Sequence, residues 1–223
     1  ADRFADTDFG QGGHGGLLCL SVLGSFLGTG SLAIFYFAFD LETVPLGVFA
    51  VSFAIAAFPT MAEYFSKKNI TGFKTFFAQT VVQILFFIVP ISVLALLLRA
   101  QIVRLILGAG ENTQFTFADT RATAQALGFF ALSLFAQSLV PLLARSFYAM
   151  QNTRIPVVSG LLAAAVNIVL AVVLTPRLGT AGLALAFSGG IVVHMGVMLT
   201  LLHRRLKDLE DDFIILRTIK IAI

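Results

Sequence analysis

The sequence holds a single cysteine, Cys19, and no tryptophan. One cysteine excludes an intrachain disulfide and any cysteine-based zinc site. Within an apolar stretch it reads as a small helix residue. Charge is also scarce. Only 12% of the 223 residues are Asp, Glu, Lys or Arg, against about 25% in a soluble domain. Apolar residues make up 58% and the mean hydropathy is +0.93. A soluble enzyme, a disordered tail and a nucleic-acid module are excluded; a polytopic membrane protein remains. The net charge of +3 needs no nucleic-acid partner, because membrane proteins concentrate Lys and Arg in their cytoplasmic loops.

Catalytic and metal-binding sets are missing too. His14, His194 and His203 lie in separate segments, without carboxylates at metal-ligand spacing. His194 in an apolar helix reads as a helix–helix hydrogen-bonding residue. Gly12-Gly13 and Gly15-Gly16 flank His14, but no GK[ST] follows, so this is not a phosphate loop. No enzyme activity, metal or cofactor is expected. Residues 1–14 carry Asp2, Asp6 and Asp8 and lack the basic start and apolar core of a signal peptide. They are expected to be an atypical N-terminal segment, and the sequence a fragment of a longer chain.

What is present is a series of runs without ionisable Asp, Glu, Lys or Arg: 15–39, 43–62, 75–98, 122–144, 155–176 and 178–202. Each is about 20–25 residues long, enough to cross the hydrocarbon core as a helix. In lipid the backbone must satisfy its own hydrogen bonds, and strict strand alternation is absent. Only Asp40, Leu41 and Glu42 separate the first two runs, too few to turn between two spans. Gly28-Thr29-Gly30 is the better turn. The expected helices are therefore about 15–27, 31–65, 75–98, 122–150, 155–176 and 178–202, with the start of a further one at 213–223. Gly24 and Gly28, and Ala186 and Gly190, stand at small-xxx-small spacing, which lets helices approach closely in lipid.

Loop charge orients the bundle. Lys67, Lys68 and Lys74 lie in 63–74, Arg145 and Arg154 in 145–154, and Arg204, Arg205 and Lys207 after residue 202. These alternate loops are expected on the cytoplasmic side. The loops at 108–120 and at Pro176-Arg177 then face outward.

The most informative charges are Asp40 and Glu42, about ten residues into a long apolar helix. A carboxylate at the bilayer centre costs roughly 2.5–3.5 kcal/mol on insertion scales. Either the pair lines a water-filled cavity or coupling-ion site, or both residues sit near the membrane surface and are hydrated. Pro45 removes a helix hydrogen bond and predicts a kink. Asn167 lies mid-span, as packing glue between helices or as a ligand or ion contact.

Gly28-Thr29-Gly30-Ser31, Tyr36-Phe37-Ala38 and Pro45-Leu46-Gly47-Val48-Phe49 resemble the eighth-helix signature of the MurJ (MviN) lipid II flippases, with Pro59 near that helix's end. Ala144-Arg145-Ser146-Phe147-Tyr148-Ala149-Met150-Gln151-Asn152-Thr153-Arg154-Ile155-Pro156 resembles that family's R-x-F-Y-A-x-Q-D-T-x-x-P turn. Asn167 and Gly179-Thr180-Ala181-Gly182-Leu183 match its eleventh and twelfth helices. The resemblance covers about residues 17–207. It implies an all-α transmembrane bundle, the C-terminal-lobe portion of a MATE-like two-lobe transporter in the bacterial inner membrane. The implied partners are a lipid-linked peptidoglycan precursor, membrane lipids and the N-terminal lobe of the same protein. The implied cavity residues are Asp40, Glu42 and Tyr36, with Asn167 at an ion or packing position.

The sequence departs from the family pattern at telling places. Phe39-Asp40 stands where the family usually carries Asp/Asn-Arg, so a carboxylate replaces the cavity arginine that meets the anionic substrate. Leu20 and Ala171 stand where some members have sodium-site partners of Asn167. Two other readings therefore stay open: export of a different lipid-linked saccharide, or a non-transporting membrane scaffold.

Overall fold

The computed structural model describes residues 31–107 and 116–206. Cys19, His14, the stretch 15–27, the Gly28-Thr29-Gly30 turn and the helix start at 213–223 lie outside the described residues. The described chain is helical, with no strand among the described residues. It comprises α1 (Ser31–Pro45), a π-helical turn (Leu46–Val51), α2 (Ser52–Ser66), α3 (Ile70–Leu107), α4 (Phe117–Ala149), α5 (Arg154–Leu178) and α6 (Thr180–Leu206). α1, the π-turn and α2 run on as one rod, so the described residues hold five helices long and apolar enough to cross a membrane.

At Pro45, where a kink is expected, the α-helix gives way to the π-turn. Proline has no N–H to give to the carbonyl four residues back, and a π-bulge is one way a helix absorbs that loss. Pro59, Pro90, Pro141 and Pro176 also sit inside helices.

Helix ends fall where caps are, which differs from where charge-free runs end. The span expected over 75–98 extends to Ile70–Leu107, 38 residues. That is about 57 Å at 1.5 Å per residue. It exceeds a bilayer core of about 30 Å, so Lys74, Arg99 and Arg104 fall inside the helix. α4 begins at Phe117 rather than 122 because Thr116 and Asp119 form a capping box. The Asp119 carboxylate accepts from the Thr116 N–H at 2.8 Å, and Thr116 Oγ1 accepts from the Asp119 N–H at 3.3 Å. Two orphan donors are thereby satisfied. The expected outward link at Pro176-Arg177 is helical instead. α5 stops one residue later, before Gly179, whose φ of 59° is open to glycine.

The two basic turns share one construction. Lys68 and Gln151 both have φ of 56°. The Asn69 N–H bonds the Tyr64 carbonyl and the Lys68 N–H that of Phe65; Asn152 and Gln151 repeat this on Phe147 and Tyr148. That paired pattern is the Schellman motif. Each turn is followed by an asparagine that caps the next helix. Asn69 Oδ1 accepts from the Gly72 N–H at 2.9 Å, and Asn152 Oδ1 from the Arg154 N–H at 3.1 Å.

α4 is the central helix. It packs on α1, the π-turn, α2, α3 and α6, while α5 lies outside, mainly against α6. In α4 67% of the most apolar window is buried, against 22–39% in the others. Its buried positions include Ala124, Ala126, Gly128, Ala131, Ser133, Ala136 and Ser138, small side chains that let neighbours approach. Two core clusters stack along the bundle. One, at the end with the basic turns, gathers Met61, Phe73, Phe147, Met150, Leu202 and Leu206. The other, at the opposite end, gathers Phe35, Val103, Phe130, Leu183 and Phe187. In it the Phe130 ring meets Phe35 and Phe187 edge-on at 5.4 and 5.8 Å, a favoured aromatic geometry.

The α5–α6 contact brings backbone against backbone. A Cβ on Gly182 would lie 2.6 Å from the Leu174 carbonyl oxygen, whereas one on Gly47 would meet nothing within 4 Å. Gly182→Ala is expected to lower stability by about 1–3 kcal/mol, the usual cost of overpacking, and Gly47→Ala to leave the thermal midpoint of detergent-solubilised protein near wild type. Equal midpoints for the two would refute this packing. The two basic turns and the end of α6 share one side of the bundle, so orientation is also testable. Lys67→Cys is expected to resist a membrane-impermeant maleimide added to intact cells, and Arg177→Cys to react; the reverse pattern inverts the topology.

Candidate functional site

Asp40 and Glu42 are two residues apart, so at about 100° per residue they point to nearly opposite sides of α1. Glu42 is 2% exposed and faces α4. Asp40 is exposed on the other side, and Tyr36, one turn before it, is half-buried. The two carboxylates therefore do not form one site. Asp40 and Val44 follow each other at helical spacing along a strip that the described helices leave open, while Tyr36, in line with them, packs partly against the core around Phe35 and Phe130. Thr43 is exposed as well and returns its hydroxyl to the Phe39 carbonyl at 2.8 Å.

Glu42 anchors a buried polar chain across the bundle. The Gln137 amide Nε2 donates to Glu42 Oε1 and, at 3.0 Å, to Ser133 Oγ. Ser133 Oγ lies 3.0 Å from the Phe130 carbonyl and 3.0 Å from Ser188 Oγ, and Ser188 donates to the Phe129 carbonyl at 3.1 Å. Three helices, α1, α4 and α6, are thus tied at one level. Glu42 Oε2 is buried and has no hydrogen-bond partner among the described residues. A cavity of about 50 Å³ is lined by Leu41, Glu42 and Pro45, by Ala95 and Ile102 of α3, and by Leu127, Ala131 and Leu134 of α4.

Asn167 is elsewhere, buried between α5 and α6 with its Cβ against Gly190. Its Oδ1 has no hydrogen-bond partner among the described residues. His194 on α6 donates to the Pro156 carbonyl of α5, the interhelical role expected of it. No group of three or more His, Cys, Asp or Glu that could hold a metal occurs among the described residues.

Gln137, Ser133 and Ser188 escaped the sequence reading. The available signal was Ser133 and Gln137 at i, i+4 within an apolar run, which places both on one helix face. What the sequence does not give is that Glu42 lies opposite them. Gln137→Leu leaves Glu42 without its donor and is expected to cost about 1–3 kcal/mol, as for a buried acceptor deprived of its partner. Glu42→Met combined with Gln137→Leu is expected to recover most of that loss. A double variant no more stable than Gln137→Leu, judged by thermal midpoints, would remove the pair from the bundle's energetics.

The profile of the family described as Lipid II flippase MurJ matches residues 16–223. A protein of Thermotoga maritima named "Probable lipid II flippase MurJ" is 34% identical over 164 residues, covering 74% of this chain and 33% of that protein. A Vibrio cholerae protein of the same name is 29% identical over 191 residues, covering 84% and 35%. A solved structure, "Lipid II flippase MurJ, inward closed conformation", superposes with a TM-score of 0.81 at 23% identity, over 93% of this chain and 42% of that one. The chain spans about a third of the length of these curated relatives. With a family match that runs nearly end to end, a matching all-α fold and five apolar helices, the chain is a multi-pass membrane protein and belongs to the lipid II flippase MurJ family.

Proposed function

We propose that this chain forms one side of a transporter that carries lipid II, the lipid-linked peptidoglycan precursor, across the bacterial inner membrane. The observation that carries the reading is the family match over residues 16–223. The partner of this side is an N-terminal lobe of the same protein, in keeping with relatives about three times as long. Alternating access rocks one half of a transporter against the other around a midplane site, so both halves are needed. The strip with Asp40, Thr43 and Val44 is the face of α1 that the described helices leave open, and with the half-buried Tyr36 at its edge it would border the substrate path. There the protein acts by binding and by excluding lipid; the transported molecule is not changed chemically.

Reconstitution in vesicles with a fluorescent lipid II tests this. A protein containing both lobes is expected to translocate lipid II, and the 223-residue chain alone is not. Translocation by the chain alone would overturn the two-lobe requirement. Failure of the two-lobe protein would overturn the substrate.

Asp40 gives a finer test. An exposed position facing an aqueous path accepts a change of charge, whereas an arginine against lipid at mid-membrane costs several kcal/mol. In the two-lobe protein Asp40→Arg is expected to keep the folded yield and to tighten binding of the anionic headgroup, with Asp40→Asn between it and wild type. Loss of folded protein with Arg but not Asn would place Asp40 against lipid. Equal binding in all three would take it off the substrate path.

A further inference from the structure

Three arginines stand at the end of the bundle away from the basic turns, against the usual segregation of Lys and Arg to one side of a membrane. They share the seam between α3 and α4. The Arg99 guanidinium lies across α4, with Nη1 2.6 Å from where a Cβ of Gly128 would be. The Arg104 guanidinium is 6.0 Å from the centre of the Phe117 ring at the start of α4. Arg121 is exposed one turn after Phe117. None of the three makes an ion pair among the described residues. Asp119, the acid between Phe117 and Arg121, is held by Thr116 in the capping box.

On α4, Arg121, Gln125, Gly128, Leu132 and Phe135 recur at i, i+4, i+7, i+11 and i+14, so they share one face. All but Gly128 are exposed, and Arg99 lies over Gly128. Phe130 and Gln137, which meet α1, point to the other side of α4. The face is therefore turned away from α1 and its Asp40 strip. Its inner part, Leu132 and Phe135, is apolar and open, as a surface against acyl chains is.

Depth decides what meets the arginines. Gly128 lies about 9 Å along α4 from Ala122, where the charge-free run begins. Arg99 directly follows the charge-free run of α3, and long side chains on a helix lean toward its N-terminus, here toward the membrane centre. Glycine at 128 leaves room for that approach. The guanidinium is thus drawn inward rather than reaching out to water. An arginine at such depth is costly without an anion. Its planar fork suits a phosphate, which it binds through two parallel hydrogen bonds.

We propose that this seam binds the headgroup of an anionic phospholipid, of the phosphatidylglycerol class, from the leaflet on that side of the membrane. Arg99 and Arg121 take the phosphate, the Gln125 amide between them donates to headgroup oxygens, and the acyl chains lie over Leu132 and Phe135. Arg104, stacked on Phe117, adds charge at the outer rim. The site is separate from the transport reading and does not depend on which lipid the protein carries.

A ligand that binds only the folded protein raises its thermal midpoint. The two-lobe protein in uncharged detergent is titrated with phosphatidylglycerol and, separately, with phosphatidylcholine, and the concentration giving half of the midpoint shift is read. Phosphatidylglycerol is expected to act at the lower concentration. Arg99→Gln and Arg121→Gln are each expected to raise that concentration about fivefold, the worth of one basic side chain at an anionic lipid surface. Arg177→Gln, which alters an exposed arginine at the same end but on α5, is expected to leave it unchanged. Gly128→Ala keeps every charge and displaces the Arg99 guanidinium, so it is expected to act as Arg99→Gln does. No preference for phosphatidylglycerol in wild type overturns the proposal. So does a preference that survives both arginine variants, as pairing of the seam with Glu111 or with the other lobe would produce. A preference untouched by Gly128→Ala means bare charge without a defined site and overturns it as well. A shift by lipid II but not by phosphatidylglycerol, lost in the same variants, hands the seam to the substrate and overturns it too.

A second measurement reads the place. Phosphatidylglycerol with a diazirine on its acyl chain is photolysed with the two-lobe protein in nanodiscs, and the adducts are mapped by mass spectrometry. Adducts are expected on the α4 peptide with Leu132 and Phe135, and fewer of them when Arg99→Gln and Arg121→Gln are combined. No adduct there, or one indifferent to the double variant, overturns the site. Vesicle translocation of lipid II is read separately, so failure of the phospholipid site and failure of the transport reading are distinguishable.

Discussion

Helices gain nothing hydrophobic by leaving lipid for each other, since lipid tails are as apolar as leucine, and close packing has to supply the association. That constraint shapes this bundle around α4. Its buried face is built largely of Ala, Gly and Ser, so α1, α2, α3 and α6 can all approach it. The large buried side chains, phenylalanines and methionines among them, fill the two core clusters. Gly182 and Gly190 serve the same purpose between α5 and α6, where any Cβ would strike the neighbouring backbone or the Asn167 side chain.

Polar groups in such a bundle cannot be left to solvent, and their partners join helices distant in sequence. Gln137 reaches Glu42 of α1 and Ser133 of its own helix, and Ser133 reaches Ser188 of α6. One level of the bundle is thereby fixed in register, because sliding any of the three helices breaks the chain of bonds. The same level holds the π-turn after Pro45 and the cavity beside Glu42. A helix with a broken hydrogen-bond ladder, a lone buried carboxylate and a small void is a place where packing can change at modest cost. It sits one turn from the exposed strip that carries Asp40.

Much was legible beforehand. Low charge and long apolar runs fix a transmembrane helical protein, because only helices and closed barrels satisfy the backbone in lipid. The two basic turns were legible as loops by their charge, and 144–156 also by its resemblance to the family's turn, but their backbone construction was not. Gln151-Asn152 and Lys68-Asn69 carry the left-handed residue and the cap that a Schellman-ended helix and its successor require. Helix limits were read less well, since a charge-free run ends at the first Arg while a helix ends at a cap. Thus Lys74, Arg99 and Arg104 lie within α3, and the capping box at Thr116 starts α4 early.

The sequence by itself determined the class of the protein, its family and the order of its spans, since these depend on composition, run length and local turn chemistry. Only the tertiary structure decided what Asp40 and Glu42 each are. Side by side in sequence they look like one acidic site, yet helix geometry turns one outward and the other into the core. Whether a carboxylate is hydrated or buried depends on which helices pack against it. Those contacts, from Gln137, Ala95, Ile102 and Leu134, come from positions 50 to 100 residues away, beyond the reach of any local pattern.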